Sequence, residues 1–141
     1  MTDNLQGLLG TSGRGVLATI RRNGRPQLSN VDFCYDAEAS LIRVSTTADR
    51  AKVANVRRDP RVSVYVPSDG LATYVVAEGE ASLSAVAEHV DDAAVEELVE
   101  VYRGVQGEHP DWDDYRRAMV EDNRVVIRVR VDRFYGFAHS T

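Results

Sequence analysis

Apolar and polar residues alternate along several short stretches of this chain. In the clearest stretch, Val62, Val64 and Val66 are separated by Ser63 and Tyr65. Successive side chains of a β-strand point to opposite faces, so a period of two predicts a strand with one buried face. This alternation, together with short apolar runs bounded by turn residues, predicts six strands, at 15–20, 26–35, 41–45, 62–66, 73–83 and 125–131.

Other segments carry helical signals. Apolar residues recur every three or four positions in the segment that follows the fifth strand, which predicts an amphipathic helix. Thr47 and Asp111 are suitable N-cap residues, and Asp59-Pro60 is a helix stop. Helices are therefore predicted at 2–9, 47–58, 90–105 and 112–122. The paired carboxylates on them, such as Glu96 and Glu97, are expected to face solvent.

Turn residues set how the strands are connected. Asn23-Gly24 separates the first two strands and predicts a type I′ hairpin turn, in which both residues adopt positive φ. Gly79, inside the fifth strand, predicts a β-bulge. Tight turns favour an antiparallel sheet over a parallel βαβ arrangement. Six short strands within 141 residues favour a closed or nearly closed barrel, because closure removes exposed strand edges.

Length and composition narrow the class of protein. With 141 residues, the chain fits one domain, 1–141, mainly β with helices (α+β). It contains no apolar run long enough for a membrane span and no signal-peptide pattern. The single Cys34 excludes an internal disulfide, which is typical of a cytoplasmic protein. The net charge of −5 disfavours nucleic-acid binding. The three histidines are scattered, so no metal site is expected.

The segment 45–52 is the strongest candidate for binding chemistry. A strand ends in the hydroxyl residues Ser45 and Thr46, and the predicted helix that follows carries Arg50 and Lys52 in its first turn. Free backbone N–H groups, hydroxyls and two cations are suited to a phosphate group. Lys52 is also the only lysine among seventeen basic residues. A capped helix with two solvent-exposed basic side chains is the alternative.

A second polar group lies on the second strand. Gln27, Ser29 and Asn30 interrupt a stretch that is otherwise largely apolar, and Gln27 and Ser29 share one face. Amide and hydroxyl groups in this position are suited to the polar edge of a heteroaromatic ring. A solvent-facing side of the strand is the alternative explanation.

Together these segments resemble the split β-barrel flavin and deazaflavin oxidoreductases, relatives of pyridoxamine 5′-phosphate oxidase. The similarity is strongest to the branch that uses the deazaflavin F420. It is carried in order by GVLATIRRNGRPQLSNV (15–31), STTADRAKVANVRRDPRVSV (45–64), AEGEASL (77–83) and GEHPDWDDYRRAMVEDNRVVIRV (107–129). The combination of Arg-Pro-Gln-Leu-Ser-Asn with Arg-Ala-Lys about twenty residues later is its most specific part.

The resemblance implies a six-stranded antiparallel split barrel of the FMN-binding type, a homodimer with two cofactor sites at the subunit interface, and hydride transfer between F420 and a small unsaturated or heteroaromatic substrate. FMN is the alternative cofactor, and a non-catalytic F420 carrier is an alternative role.

The implied phosphate contacts are Arg50, Ala51 and Lys52, with Ser45 and Thr46 beside them. The implied ring contacts are Leu17, Ala18, Thr19, Gln27, Ser29 and Asn30. Asn55 and Arg58 would meet an acidic tail, and the other subunit would contribute Ala72, Thr73 and Tyr74.

The chain departs from the pattern of these relatives in two places. Some relatives carry a Trp in the loop before Tyr74, whereas 68–73 contains no aromatic residue. The Trp and Arg by which FMN-dependent oxidases recognise pyridoxal have no match late in the chain. We therefore do not expect oxidation of pyridoxamine phosphate, and the residues do not identify a catalytic acid.

Overall fold

A computed structural model describes residues 2–138 of the chain, except the side chains of 2–4 and of residue 69. The predicted domain, 1–141, therefore extends slightly beyond the described residues. The six strands are β1 (Ser12–Ile20), β2 (Pro26–Asp36), β3 (Leu41–Thr47), β4 (Arg61–Ser68), β5 (Thr73–Leu83) and β6 (Arg124–Phe137). The four α-helices are α1 (Thr2–Gly7), α2 (Ala51–Arg58), α3 (Ala93–Gln106) and α4 (Trp112–Glu121).

The strands form a closed antiparallel barrel in the order β1-β2-β3-β6-β5-β4, which confirms the predicted α+β barrel with flanking helices. Alternate residues of every strand point into the barrel, and Phe33, Ile42 and Val64 are fully buried there. The pairing of β3 with β6, in which Thr47 lies opposite Arg124, joins distant parts of the chain and closes the barrel. None of the helices in residues 2–138 is long and apolar enough to cross a bilayer.

The β1–β2 hairpin forms at the predicted place, but the predicted type I′ turn is wrong. Gly24 has φ +86°, while Asn23 is not in the positive-φ region. The Gly24 N–H donates to the Arg21 carbonyl over 2.8 Å. This geometry fits a type I turn followed by a left-handed glycine, the other common way to join a twisted hairpin.

The predicted bulge at Gly79 is confirmed. The register between β5 and β6 shifts between Glu78 and Gly79. The two backbones approach so closely that a Cβ on Gly79 would overlap the Arg130 carbonyl oxygen. Only glycine fits this position, and the bulge bends the strand as closure of a barrel requires.

Helix α2 begins later than predicted, and Thr47 is not its N-cap. Thr47 is the last residue of β3, and its hydroxyl donates to the Asp49 carboxylate over 2.7 Å. The N-cap residue is Arg50, whose side chain makes no capping hydrogen bond. Asp111 caps α4 as predicted, and its carboxylate accepts from the Asp114 N–H.

Helices α3 and α4 pack on the outer surface of β2, β3 and β6 and form a second apolar core there. Gly104 of α3 lies so close to β2 that an added Cβ would be 2.9 Å from the Cβ of Cys34. Glu97, predicted to face solvent, is instead largely covered and accepts hydrogen bonds from Arg43 and Arg128. That prediction was wrong because the two strand arginines lie directly under the helix.

The other side of the barrel carries an apolar surface that is partly exposed. Val16, Tyr65, Val76 and Tyr135 form one cross-strand row over β1, β4, β5 and β6, so their side chains share the outer face. Within this row Tyr135 is 41% exposed, whereas Val76 is only 6% exposed. This surface, hereafter the apolar sheet face, has the following further members: Leu28, Ala18, Pro67, Tyr74 and Phe137.

Candidate cofactor site

A cavity of about 440 Å³ lies between the outer surface of the barrel and helices α3 and α4. Its barrel wall comes from β2, β3 and the start of β6, and one end reaches α2. Its lining combines polar residues at the barrel with apolar and aromatic residues on the helices. The lining residues are Asn30, Val31, Asp32, Val44, Ser45, Lys52, Val101, Tyr102, Val105, Gln106, Tyr115, Met119 and Arg124.

One end of this cavity is strongly cationic. Lys52 reaches it from the first turn of α2, and Arg124 reaches it from the first position of β6. Arg50, the residue before α2, is close enough to act on Lys52 electrostatically. The Arg124 Nη1 lies 3.4 Å from the Ser45 hydroxyl. We call Ser45, Arg50, Lys52 and Arg124 the cation corner.

The protein compensates the charges of the cation corner only in part, through the electrostatic interaction of the Asp49 carboxylate with Arg50. Among the described side chains, no carboxylate lies within 4.0 Å of the charged nitrogens of these three cations. Burial lowers the pKa of Lys52, and the positive charges of Arg50 and Arg124 lower it further. Clustering like charges without a counter-ion is unfavourable unless a ligand supplies the opposite charge.

Arg124 provides the most direct indication of an anionic ligand. Its Nε–H is buried and has no hydrogen-bond partner among the described residues. A buried, unsatisfied charged donor is costly, so such a donor in a native fold calls for an explanation. An anionic oxygen in the cavity would satisfy this donor together with Lys52. The residues present therefore fit a phosphate-bearing cofactor.

The structure brings three of the sequence-predicted residues to this cavity and disperses others. Asn30, Ser45 and Lys52 line it, and Arg50 lies beside Lys52. Thr46, next to Ser45, points into the barrel and is buried. Ala51 is the exposed first residue of α2.

Asn55 and Arg58 belong to a network within the protein. The Asn55 amide donates to the buried Thr19 hydroxyl over 3.0 Å. Arg58 donates to the side-chain amide oxygen of Asn55 over 2.9 Å and to the backbone carbonyl of Ile20 over 2.6 Å. These bonds fasten α2 to β1, which fixes where the first turn of α2, and therefore Lys52, meets the barrel.

The remaining predicted ring contacts lie along the β1–β2 ladder. Leu17 is opposite Ser29, and Thr19 is opposite Gln27. Gln27 and Ser29 are half-buried, on the same face of β2 as the core residue Val31, whereas Asn30 points outward. A second cavity, of about 540 Å³, is lined by Ala18 and Thr19 among others.

The three residues predicted to come from the other subunit lie away from this cavity within their own chain. Ala72 precedes β5, and Thr73 and Tyr74 begin it. The Tyr74 ring is 5.8 Å from that of Tyr65, on the apolar sheet face. The Thr73 hydroxyl is buried and has no hydrogen-bond partner among the described residues.

Sequence reasoning missed Arg124 and the helical wall of the cavity, by which we mean its lining residues on α3 and α4. Arg124 precedes an alternating strand pattern and looked like an ordinary strand-flanking residue. Tyr102, Tyr115 and Met119 follow helical spacing, which indicates packing but not which packed residues border a cavity. A basic residue at the first position of the last strand was the available signal, but its significance depends on the pairing of β3 with β6.

Known structures share this architecture. The structure of an F420 reductase superimposes with a TM-score of 0.68 at 23% identity, covering 92% of this chain and 94% of the other. A conserved hypothetical protein from Mycobacterium tuberculosis superimposes with a TM-score of 0.75 at 25% identity. The match covers 98% of this chain and 84% of the other. General Stress Protein 26 from Bacillus anthracis superimposes with a TM-score of 0.62 at 20% identity. The match covers 96% of this chain and 92% of the other.

The sequence gives an independent comparison that spans almost the whole chain. The model of the family described as pyridoxamine 5′-phosphate oxidase matches residues 1–138. This match includes the cation corner, the β1–β2 hairpin and both helices that wall the cavity. The chain therefore belongs to the pyridoxamine 5′-phosphate oxidase family.

Proposed function

We propose that this protein is an F420-dependent oxidoreductase that acts on a small unsaturated or heteroaromatic substrate. The observation that carries the proposal is the cation corner, in which Arg124 has a buried, unpartnered Nε–H beside an uncompensated Lys52. A phosphate group is the ligand that best matches two or three converging cations and a hydroxyl.

The protein's own residues hold and orient the ligand. Lys52, Arg50 and Arg124 bind the phosphate, while Ser45 holds the Arg124 guanidinium in place. Asn30 lines the cavity beside the corner and presents an outward-facing amide to a ring edge, whereas Gln27 and Ser29 lie on the inward face of β2. The bound deazaflavin supplies the hydride chemistry, and the residues supply position and a partly dry environment.

The choice of F420 over FMN is supported by the sequence resemblance to the F420-using branch and by the fold shared with an F420 reductase. FMN remains the second candidate, since the cation corner suits its phosphate equally well. A non-catalytic F420 carrier would have the same corner. It would differ in giving tight binding without turnover.

The active assembly we propose is a homodimer that buries the apolar sheet face. Tyr135 and Leu28 are 41% and 64% exposed, beside the half-buried Tyr65 and Tyr74. A continuous apolar surface of this kind is typical of a subunit interface. Burial of this face would bring the 72–74 segment of one subunit against its partner.

Equilibrium titration of the purified protein with F420 and with FMN tests the cofactor. We expect binding of F420 at micromolar concentration or tighter, weaker binding of FMN, and substrate reduction only with reduced F420. Arg50→Ala and Lys52→Ala should each weaken binding by about 1.5–3 kcal/mol, the contribution of a hydrogen bond to a charged group. Failure of both cofactors to bind would refute the proposal, and preferential FMN binding would replace F420 by FMN.

A further inference from the structure

The helical wall of the cavity carries a phenol hydroxyl that the protein does not use. Tyr102 of α3 is half-buried and lines the cavity. Among residues 2–138, no group makes a hydrogen bond with its hydroxyl, although its ring is packed on several sides. By contrast, the hydroxyl of neighbouring Tyr115 donates to the Leu98 carbonyl over 2.9 Å. Tyr102 therefore lines the cavity with a hydroxyl that has no acceptor among residues 2–138.

Aromatic packing fixes the position of the Tyr102 ring. Ring centroids of His109, Trp112 and Tyr115 lie 5.1, 5.7 and 5.0 Å from it. Contacts at these distances stabilise one arrangement of each ring. A ligand that meets Tyr102 thus meets a rigid surface, which reduces the entropy lost on binding.

The charged groups that line the cavity restrict the ligand on the helical side. They are Lys52 and Arg124 of the cation corner and the exposed carboxylate of Asp32, which lies 3.2 Å from Arg14. The other lining residues are apolar or uncharged, and Val101, Val105 and Met119 contribute aliphatic surface. Once a phosphate neutralises the corner, this uncharged part of the lining favours an uncharged ring over an anionic one.

We propose that the helical wall is a binding site for the ring of an uncharged, planar substrate whose polar atom accepts a hydrogen bond from the Tyr102 hydroxyl. This inference rests on the proposed function, since it assigns the corner to the cofactor and the helical wall to its reaction partner. The volume of about 440 Å³ suits one small ring system next to a phosphate. Burial raises the pKa of Tyr115 to about 12, with Tyr102 contributing, so the two phenols are close neighbours at this wall.

Three naphthalene derivatives that differ only in the substituent at position 2 test this site. The probes are 2-acetylnaphthalene, which has an uncharged acceptor, 2-ethylnaphthalene, which has none, and 2-naphthoate, which is anionic. The readout is the fluorescence of Trp112, the only tryptophan, whose ring contacts Tyr102. Isothermal titration confirms each dissociation constant, and saturating oxidised F420 is present throughout, so no turnover occurs.

We expect 2-acetylnaphthalene to bind about fivefold more tightly than 2-ethylnaphthalene, the effect of one neutral hydrogen bond. 2-Naphthoate should bind more weakly than the ketone. In Tyr102→Phe the preference for the ketone should disappear, while F420 affinity stays within about twofold. Tyr35→Phe removes a hydroxyl inside the barrel, away from this cavity, and should keep the preference.

Equal binding of the ketone and the hydrocarbon to the unmodified protein would overturn the inference, as would a preference that survives in Tyr102→Phe. Val105→Phe gives a second check that does not depend on the hydroxyl, because the added ring fills the cavity and should abolish binding of all three probes. Probe binding unchanged in Val105→Phe would place the ring elsewhere and overturn the inference.

Failure of the cofactor proposal gives a different result. If neither F420 nor FMN binds, the proposed function fails, yet the Tyr102-dependent preference for the ketone is still measurable in the protein alone. If F420 binds and that preference is absent, the proposed function stands and the ring site fails.

Discussion

The guanidinium of Arg124 lies 3.4 Å from the hydroxyl of Ser45, across the pair of strands that closes the barrel. This contact positions a residue of the last strand beside Lys52, which comes from the helix after the third strand. The cation corner therefore combines one local segment, 45–52, with Arg124, which only barrel closure brings to it. Residues remote in sequence thus become one anion site.

The first prediction concerns Arg124. Arg124→Ala should weaken F420 or FMN binding by about 1.5–3 kcal/mol, roughly 10- to 150-fold, because a buried charge-assisted contact is lost. Fluorescence titration measures the change. Arg57→Ala is the matched control, since it removes an exposed arginine from α2 that is not part of the cation corner, and affinity should change less than twofold. Equal losses in both variants would mean that general positive charge, not the corner, attracts the ligand.

The second prediction is a pH dependence from Lys52. Its pKa in the ligand-free protein lies below the usual 10.5, because of burial and the charges of Arg50 and Arg124. Anion binding needs the ammonium form, so affinity should be constant below that lowered pKa and decline as the pH rises through it. Dissociation constants measured between about pH 8 and 10.5 would show the decline beginning below the pKa of a free lysine.

Lys52→Arg separates this titration from that of the ligand. An arginine stays charged over the whole range, so the protein contribution to the decline should vanish in this variant. A decline of the same size in both proteins would show that the ligand, not Lys52, is the titrating group.

The third prediction concerns Glu97, which joins α3 to the barrel. Its carboxylate accepts from Arg43 Nε over 3.0 Å, and from Nε and Nη2 of Arg128, the first of these over 2.8 Å. Glu97→Gln removes the negative charge and leaves two neighbouring arginines uncompensated, so the free energy of unfolding should fall by about 2 kcal/mol. Urea unfolding measures this loss. The exposed Glu121→Gln on α4 is the control and should change stability by less than about 0.5 kcal/mol.

The Glu97 contribution should also depend on pH in a defined direction. Burial alone would raise the pKa of Glu97, but hydrogen bonds from Arg128 and Arg43 outweigh it and hold the pKa below its usual 4.5. Its stabilisation is therefore complete above pH 4.5 and is lost as the pH falls through the lower, folded-state pKa. The stability difference between wild type and Glu97→Gln should shrink in that acidic window and stay constant near neutrality.

Much of the fold could be predicted because its signals are local. Alternation in 61–66 and the glycine at 79 each reflect backbone geometry that a few neighbouring residues determine. The turn type at Asn23-Gly24 was not predictable in the same way, since two hairpin turns accept this dipeptide. The start of α2 was misjudged because Thr47 pairs with Arg124 in the sheet, a long-range contact that outweighs a capping preference.

The candidate site was only partly predictable for the same reason. Lys52 and Ser45 lie within one short segment, so a motif reveals them. Arg124 and Tyr102 become site residues only once β6 pairs with β3 and α3 packs over β2. No periodicity in 90–137 distinguishes a residue that borders a cavity from one that fills the core.

The fourth prediction concerns Gly79. Gly79→Ala should destabilise the protein by about 3 kcal/mol or more, because the new Cβ would collide with the backbone carbonyl of Arg130, which cannot move without opening the β5–β6 ladder. Thermal or urea unfolding measures the effect. Gly7→Ala is the control: nothing lies within 4 Å of an added Cβ there, so stability should stay the same or rise slightly.

The last prediction tests the apolar sheet face. Tyr135→Lys places a charge within the Val16–Tyr65–Val76–Tyr135 row, so a dimer that buries this row should dissociate, since an unpaired charge in an apolar interface costs several kcal/mol. Light scattering after size-exclusion chromatography measures the change from dimer to monomer. Val90→Lys, at an apolar residue 45% exposed outside this face, is the control and should leave the dimer intact. A wild-type monomer, or a dimer that persists in Tyr135→Lys, would exclude this face as the subunit interface.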